Sequence, residues 1–141
     1  MADDGSDFAR SMSIATSGLR AQAGRMRVIS ENIANADSTA PTAGGDPYRR
    51  KVPTFSSALD RTLDARVVTL GKIGTDQSAF RVKHEPSNPA ADAAGNVKYP
   101  NVNPLVEMTD MREAQRSYEA NLNIISATRR MIQRTLDILK A

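Results

Sequence analysis

Two long stretches of this chain repeat apolar side chains at helical spacing, and the stretch between them does not. In the first, Phe8, Met12, Ala15, Leu19, Gln22, Met26, Ile29 and Ile33 follow one another at alternating intervals of four and three residues. That alternation puts all eight on one face of an α-helix, with Gln22 as the polar member. Ser6 suits the N-cap, and Asp7 suits the positive end of the helix dipole. The pattern stops at Asn35-Ala36-Asp37-Ser38-Thr39, with Pro41 beyond it, so a helix is predicted over residues 6–36. Gly18 and Gly24 weaken that helix and admit a close neighbour.

In the second stretch Met108, Met111, Gln115, Tyr118, Leu122, Ile125, Arg129, Ile132, Leu136 and Leu139 repeat the same spacing, and Met131 and Ile138 widen the stripe to one side. Asn103 is a fitting N-cap, and Pro104 loses nothing at the first helical position. A second helix is predicted over 104–141. Residues 37–103 hold six of the seven prolines and five of the eight glycines. Lys51–Phe55, Arg66–Leu70, Phe80–Lys83 and Asn96–Tyr99 read as short extended segments, and Ser56–Leu63 as a short helix. Tyr48, Phe55, Phe80 and Tyr99 are the expected packing anchors of this middle part.

The predicted fold is therefore mainly α: long N- and C-terminal helices pairing as a coiled-coil-like hairpin, with a small irregular β-containing middle segment. One narrow seam cannot order a helix of this length in water. Pairing the two helices buries both seams but leaves little around the pair. The terminal helices are expected to be ordered mainly by neighbouring subunits.

Composition narrows the chemistry. The 141 residues carry 19 Lys+Arg against 16 Asp+Glu, one His and no Cys. Thiol catalysis, disulfides and Cys-based metal sites are excluded. Charge is spread evenly: four basic and five acidic residues to position 40, nine and six from 41 to 104, six and five thereafter. No helix has a basic face, which argues against nucleic acid despite a pI near 9.5. The triplet Arg49-Arg50-Lys51 reads as a solvated loop edge or part of a subunit contact. No apolar run exceeds two residues, so neither a membrane span nor a cleavable secretory signal is expected. His84 lacks recognisable triad or metal partners and reads as a surface residue. Asp110, Glu113 and Glu119 alternate with Arg112 and Arg116, as on a solvated, salt-bridged face. No cofactor is expected, and an enzyme reading finds no polar constellation to support it.

Certain motifs go further. Ser17-Gly18-Leu19-Arg20-Ala21-Gln22, Arg25-Met26, Val28-Ile29 and Asn32-Ile33-Ala34-Asn35-Ala36-Asp37-Ser38-Thr39 together resemble the N-terminal signature of bacterial flagellar rod, hook and filament-axis proteins. Pro47-Tyr48-Arg49-Arg50-Lys51, Tyr99-Pro100-Asn101-Val102-Asn103 and the run from Glu107-Met108 through Arg116-Ser117-Tyr118-Glu119-Ala120-Asn121 narrow the likeness to proximal rod members. It extends over essentially the whole chain, apart from the acidic extension 1–7. The resemblance implies a structural subunit, exported through the flagellar type III apparatus without a cleavable signal peptide. It would polymerise into the periplasmic rod of the basal body and transmit torque between basal ring and hook. Its partners would be other rod subunits, basal-body proteins, copies of itself and the export apparatus. The terminal helices would form the inner tube. Leu19, Met26, Ile29, Ile33, Tyr118, Leu122, Ile125, Ile132 and Leu136 would carry the helix packing, while Asn32 and Asn35 would cap the last carbonyls of the first helix or bridge to a neighbour. The competing reading is a secreted or cytoplasmic helical coiled-coil adaptor.

Overall fold

The computed structural model describes residues 4–140, with side chains from Asp7 onward. It is mainly α, with two long terminal helices and a small strand-bearing middle. Helix α1 spans Asp4–Ala34 and α2 spans Pro104–Lys140. The expected N-cap at Ser6 rests on a side chain outside the described residues, and α1 already runs from Asp4. At α2 the Asn103 Oδ1 accepts from the Leu105 N–H at 3.1 Å, capping the helix at Pro104. Between the helices lie β1 (Lys51–Val52), β2 (Phe55–Asp60), β3 (Ala65–Leu70), β4 (Gly74–Thr75), β5 (Arg81–His84) and β6 (Asn96–Tyr99). They pair antiparallel as β1–β4, β2–β3 and β5–β6. Each helix contributes to two compact units. One comprises Met1–Met26, Thr54–Lys72 and Glu113–Ala141; the other comprises Arg27–Pro53 and Ile73–Arg112.

In the first unit, β2 and β3 form a hairpin in register from Phe55↔Leu70 to Asp60↔Ala65. The helix expected at Ser56–Leu63 is not there. Val67, Val68 and Thr69 are β-branched and favour extended backbone on the partner strand. The Ser56 and Thr69 hydroxyls meet across the pair at 2.8 Å. Asp60 Oδ1 accepts from the Thr62 N–H at 2.9 Å, starting the turn, and Asp64 closes it at φ 47°, a conformation that Asp tolerates better than most residues. The hairpin rests on α1 through two polar tethers. Arg10 Nε donates to the Leu63 carbonyl at 2.8 Å, and the Val68 N–H donates to Ser17 Oγ at 3.1 Å. Leu70 lies over Gly24. Phe55, an expected packing anchor, is exposed instead, although it stands opposite Leu70 in the hairpin, and Leu59 and Val68 on the same face are exposed with it.

Also in this unit, α1 and α2 run antiparallel: Gly18 abuts Asn121, and Arg25 pairs with Glu113 at 3.4 Å. The expected seam of α1 is buried or half-buried throughout its described length. The seam of α2 differs by one residue at every second position. Glu107, Met111, Ala114, Tyr118, Asn121, Ile125, Thr128 and Ile132 are the inward members, again at 4-3 spacing. Met108, Gln115, Leu122 and Arg129 are exposed. Small side chains let the two backbones approach where Met or Leu would hold them apart, and so Ala114 and Thr128 are buried while Leu122 is not.

In the second unit the core is Ala90, Val97 and Tyr99, with Ala91 packed against it. Strand β6 lies over this core, and β5 pairs along it from Arg81↔Tyr99 to His84↔Asn96. The loop between them is fastened at Glu85. Its carboxylate accepts from the Tyr99 hydroxyl at 2.8 Å and from Asn88 Nδ2 at 3.1 Å, which holds it below the usual carboxylate range. Gly95 sits at φ 79°, and a Cβ there would meet the His84 ring and Pro86 at 3.0 Å. His84 is exposed, and its Nδ1 shares a hydrogen bond with the Asn96 side-chain oxygen at 3.2 Å.

Candidate assembly interface and its polar clasp

The second unit contains a polar constellation centred on Asn32. This side chain comes from the last turn of α1 and is 1% exposed. Its Nδ2 donates to the Lys51 carbonyl at 2.9 Å and to Glu107 Oε2 at 3.0 Å. Its Oδ1 accepts from the Lys51 N–H at 2.9 Å and from the Tyr48 hydroxyl at 2.8 Å. Both donors and both acceptor positions of the amide are thus used. The carboxylate of Glu107, in the first turn of α2, is wholly buried, and its second oxygen accepts from Arg50 Nε at 2.5 Å. Arg50 also lies 3.6 Å from Asp110 and 3.9 Å from Asp76. Its backbone N–H donates to Asn101 Oδ1 at 2.9 Å, and Asn101 Nδ2 reaches the Asp76 carbonyl at 3.0 Å. Lys51 Nζ pairs with Glu31. Burial, followed by the negative charges of Glu31 and Glu107, raises the Tyr48 hydroxyl to about 12. Ser78, donating from its backbone N–H, holds Asp76 below its ordinary range, helped by the Arg50 charge.

A buried carboxylate is tolerable only when its charge and lone pairs are met. Here Arg50 meets the charge, and Asn32 takes the other oxygen. The arrangement ties the end of α1, the segment at β1 and the start of α2 into one network. It has no reactive nucleophile–base pair and no cluster of three or more metal-ligating side chains among the described residues. Its chemistry is fastening.

Three expectations change. Arg49-Arg50-Lys51 is not a solvated edge: all three are half-buried, with Arg49 stacked 4.2 Å from the Phe80 ring centroid and Arg50 on Glu107. Of the two roles expected of Asn32, its hydrogen bonds do not make the cap but join three segments of its own chain, whereas Asn35 Nδ2 donates to the Glu31 carbonyl at 2.8 Å. Asp110 and Glu113 reach Arg50 and Arg25 from α2 rather than forming a purely solvated face. Spacing arguments missed Glu107 and Asn101 because charged and amide residues are not scored as core. The signal that could have found them was in the motifs: Asn32, Tyr48, Arg50, Lys51, Asn101 and Glu107 all fall within the quoted runs.

The residues expected to serve assembly divide in two. Ile29 and Asn32 are buried, and Leu19, Met26, Ile33, Asn35, Tyr118, Ile125 and Ile132 are half-buried. Leu122 and Leu136 are exposed at 42% and 45%. Those two belong to a stripe along one flank of the α2 seam. Ile124, Met131 and Ile138, seven residues apart, form a second exposed stripe on the other flank, about 200° round the helix from the first. The pairing with α1 therefore leaves α2 with apolar residues free on both sides.

Two family models match: residues 12–40 fit the one described as flagella basal body rod protein, and residues 93–138 fit the one described as flagellar basal body rod FlgEFG protein C-terminal. The class is thus a flagellar rod protein with its signature in both terminal helices. A flagellar basal-body rod protein FlgC of Agrobacterium fabrum is 55% identical over 91% of this chain and 92% of its own. The FlgC proteins of Bacillus subtilis and Aquifex aeolicus are 39% and 35% identical, covering 92% and 95% of this chain and 97% and 98% of theirs. The chain belongs to the FlgC family of flagellar basal-body rod proteins: it is a structural rod subunit of the basal body, and these matches favour that reading over a free-standing helical adaptor. Among the described residues no helix is long and apolar enough to cross a membrane.

Proposed function

We propose that this chain builds the proximal rod by lateral packing of its terminal helices against copies of itself and against other rod subunits, so that torque passes from basal ring to hook. The observation that supports this is the pair of apolar stripes flanking the α2 seam, Leu122–Leu136 on one side and Ile124–Met131–Ile138 on the other. A helix with one free stripe makes a dimer. A helix with stripes on both flanks takes a neighbour on each side, as the wall of a tube requires. Leu19, Met26, Ile29, Ile33, Tyr118, Ile125 and Ile132 align α1 with α2, and Leu122 and Leu136 meet the neighbour. The units fall into an axial helix at 6–36, a loop and hairpin region at 37–103 and a second axial helix at 104–141. The subunit works in the periplasmic rod, reaches it through the flagellar export apparatus without a cleaved signal, and acts mechanically rather than catalytically, with no cofactor, nucleic acid or inserted membrane segment.

Leu122→Asp tests the reading. It places a charge on an exposed stripe and leaves the inward seam intact. Cells carrying it should make the protein at normal level, lack it in purified basal bodies and fail to swim. Normal swimming would refute the role of the stripe.

A further inference from the structure

We infer that Asn121 and Gly18 form a register lock between the two long helices of the first unit. A Cβ at Gly18 would lie 2.8 Å from Asn121 Nδ2, 2.9 Å from its Oδ1 and 3.0 Å from its Cγ. The whole amide head therefore sits flat against the α1 backbone. It is held there by its own hydrogen bond, Nδ2 to the Ser117 carbonyl at 3.0 Å. To make room, Asn121 would have to turn away and give up that bond.

The lock matters because the rest of the seam in the first unit is permissive, away from the clasp that fixes Asn32 on Glu107. A 4-3 seam of mainly Ala and middle-sized residues packs almost as well after a slip of one heptad. In the observed pairing Gly18 faces Asn121. A slip of seven residues would bring Asn121 against Ser11 or Arg25, and a slip of three or four would bring it against Ile14, Ala15, Ala21 or Gln22. Each of these carries a Cβ where the amide head must lie. Gly24 is six residues from Gly18, about 120° off the seam direction, and does not offer an equivalent place. A second observation marks the same stretch as chosen for specificity over stability. Gln22, one turn beyond Gly18, buries an amide oxygen that has no partner among the described residues. Polar seam positions cost stability and narrow the set of allowed pairings.

The test uses the purified full-length chain. Because the sequence has no cysteine, Arg20→Cys with Glu119→Cys, both exposed and level with one another in this register, takes spin labels at two unique positions. Gly18→Ala by helix propensity alone should raise the melting temperature; the lock predicts a fall of about 3–6 °C. Gly18→Ala combined with Asn121→Ala should recover it, and Gly24→Ala should do no harm, because the Leu70 side chain over it ends in a mobile methyl. In Asn121→Ala the labelled pair should lose its single sharp distance and spread over a broader distribution, while the clasp at Asn32 and Glu107 holds the other end of the helix pair. A Gly18→Ala chain that melts higher, a double variant that fails to recover, or a single unchanged distance in Asn121→Ala would each overturn the proposal.

Discussion

Asn32 spends four hydrogen bonds on four different groups, so its removal strands several of them at once. Leaving a buried polar group unmet costs about 1–3 kcal/mol, more when it is charged. Asn32→Ala leaves the Glu107 carboxylate short of a donor and the Lys51 N–H without its acceptor. We expect a loss of about 3 kcal/mol or more, read by urea unfolding. Tyr48 adds a pH dependence. Its hydroxyl is raised to about 12 in the fold, from an ordinary 10.0. Below pH 10 both folded and unfolded chains keep the proton. Between 10 and 12 the unfolded chain releases it and the folded chain does not, so folding stability falls as pH rises through that window. Tyrosinate absorbance should show a component titrating near pH 12, and Tyr48→Phe should remove it.

At the scale of elements, the loop between β5 and β6 and the seam of α2 differ in how readily they were legible. Asn and Gly bounded the strands of the middle segment, and Gly95 at φ 79° is needed where it stands. Gly95→Ala should cost about 1–2 kcal/mol from the left-handed backbone alone, with more from the crowding against His84 and Pro86; thermal unfolding measures it. The α2 seam was half legible. Met111, Tyr118, Ile125 and Ile132 belong to both possible phases of the heptad, so periodicity placed them rightly. The positions between them required a choice between neighbours, and hydropathy chose Met108 and Leu122 where close approach selects Glu107 and Asn121. The strand at Phe55–Asp60 was illegible for a related reason: Ser, Ser, Ala and Leu carry no strand signal of their own and take their form from Val67, Val68 and Thr69 across the hairpin.

For the whole molecule, the expectation that neighbours order the terminal helices needs dividing. The end of α1 and the start of α2 are fastened within their own chain by Asn32, Glu107 and Arg50. The last turns of α2, with Leu136, Ile138 and Leu139 exposed, show no such fastening among the described residues. Hydrogen exchange on the free subunit should therefore show protection around residues 28–34 and 104–112 and rapid exchange over 133–140. Uniform protection along α2 would contradict that division. The family was legible in the sequence alone, because the shared motifs coincide with the residues of the clasp. The free stripes were not, since exposure depends on which face α1 takes.

A joint made of amide, carboxylate and guanidinium has one property that an oily joint lacks. When it opens, water replaces each partner in turn, and little greasy surface is uncovered to stick to other chains. A subunit fastened in this way can open and refasten with small risk of clumping.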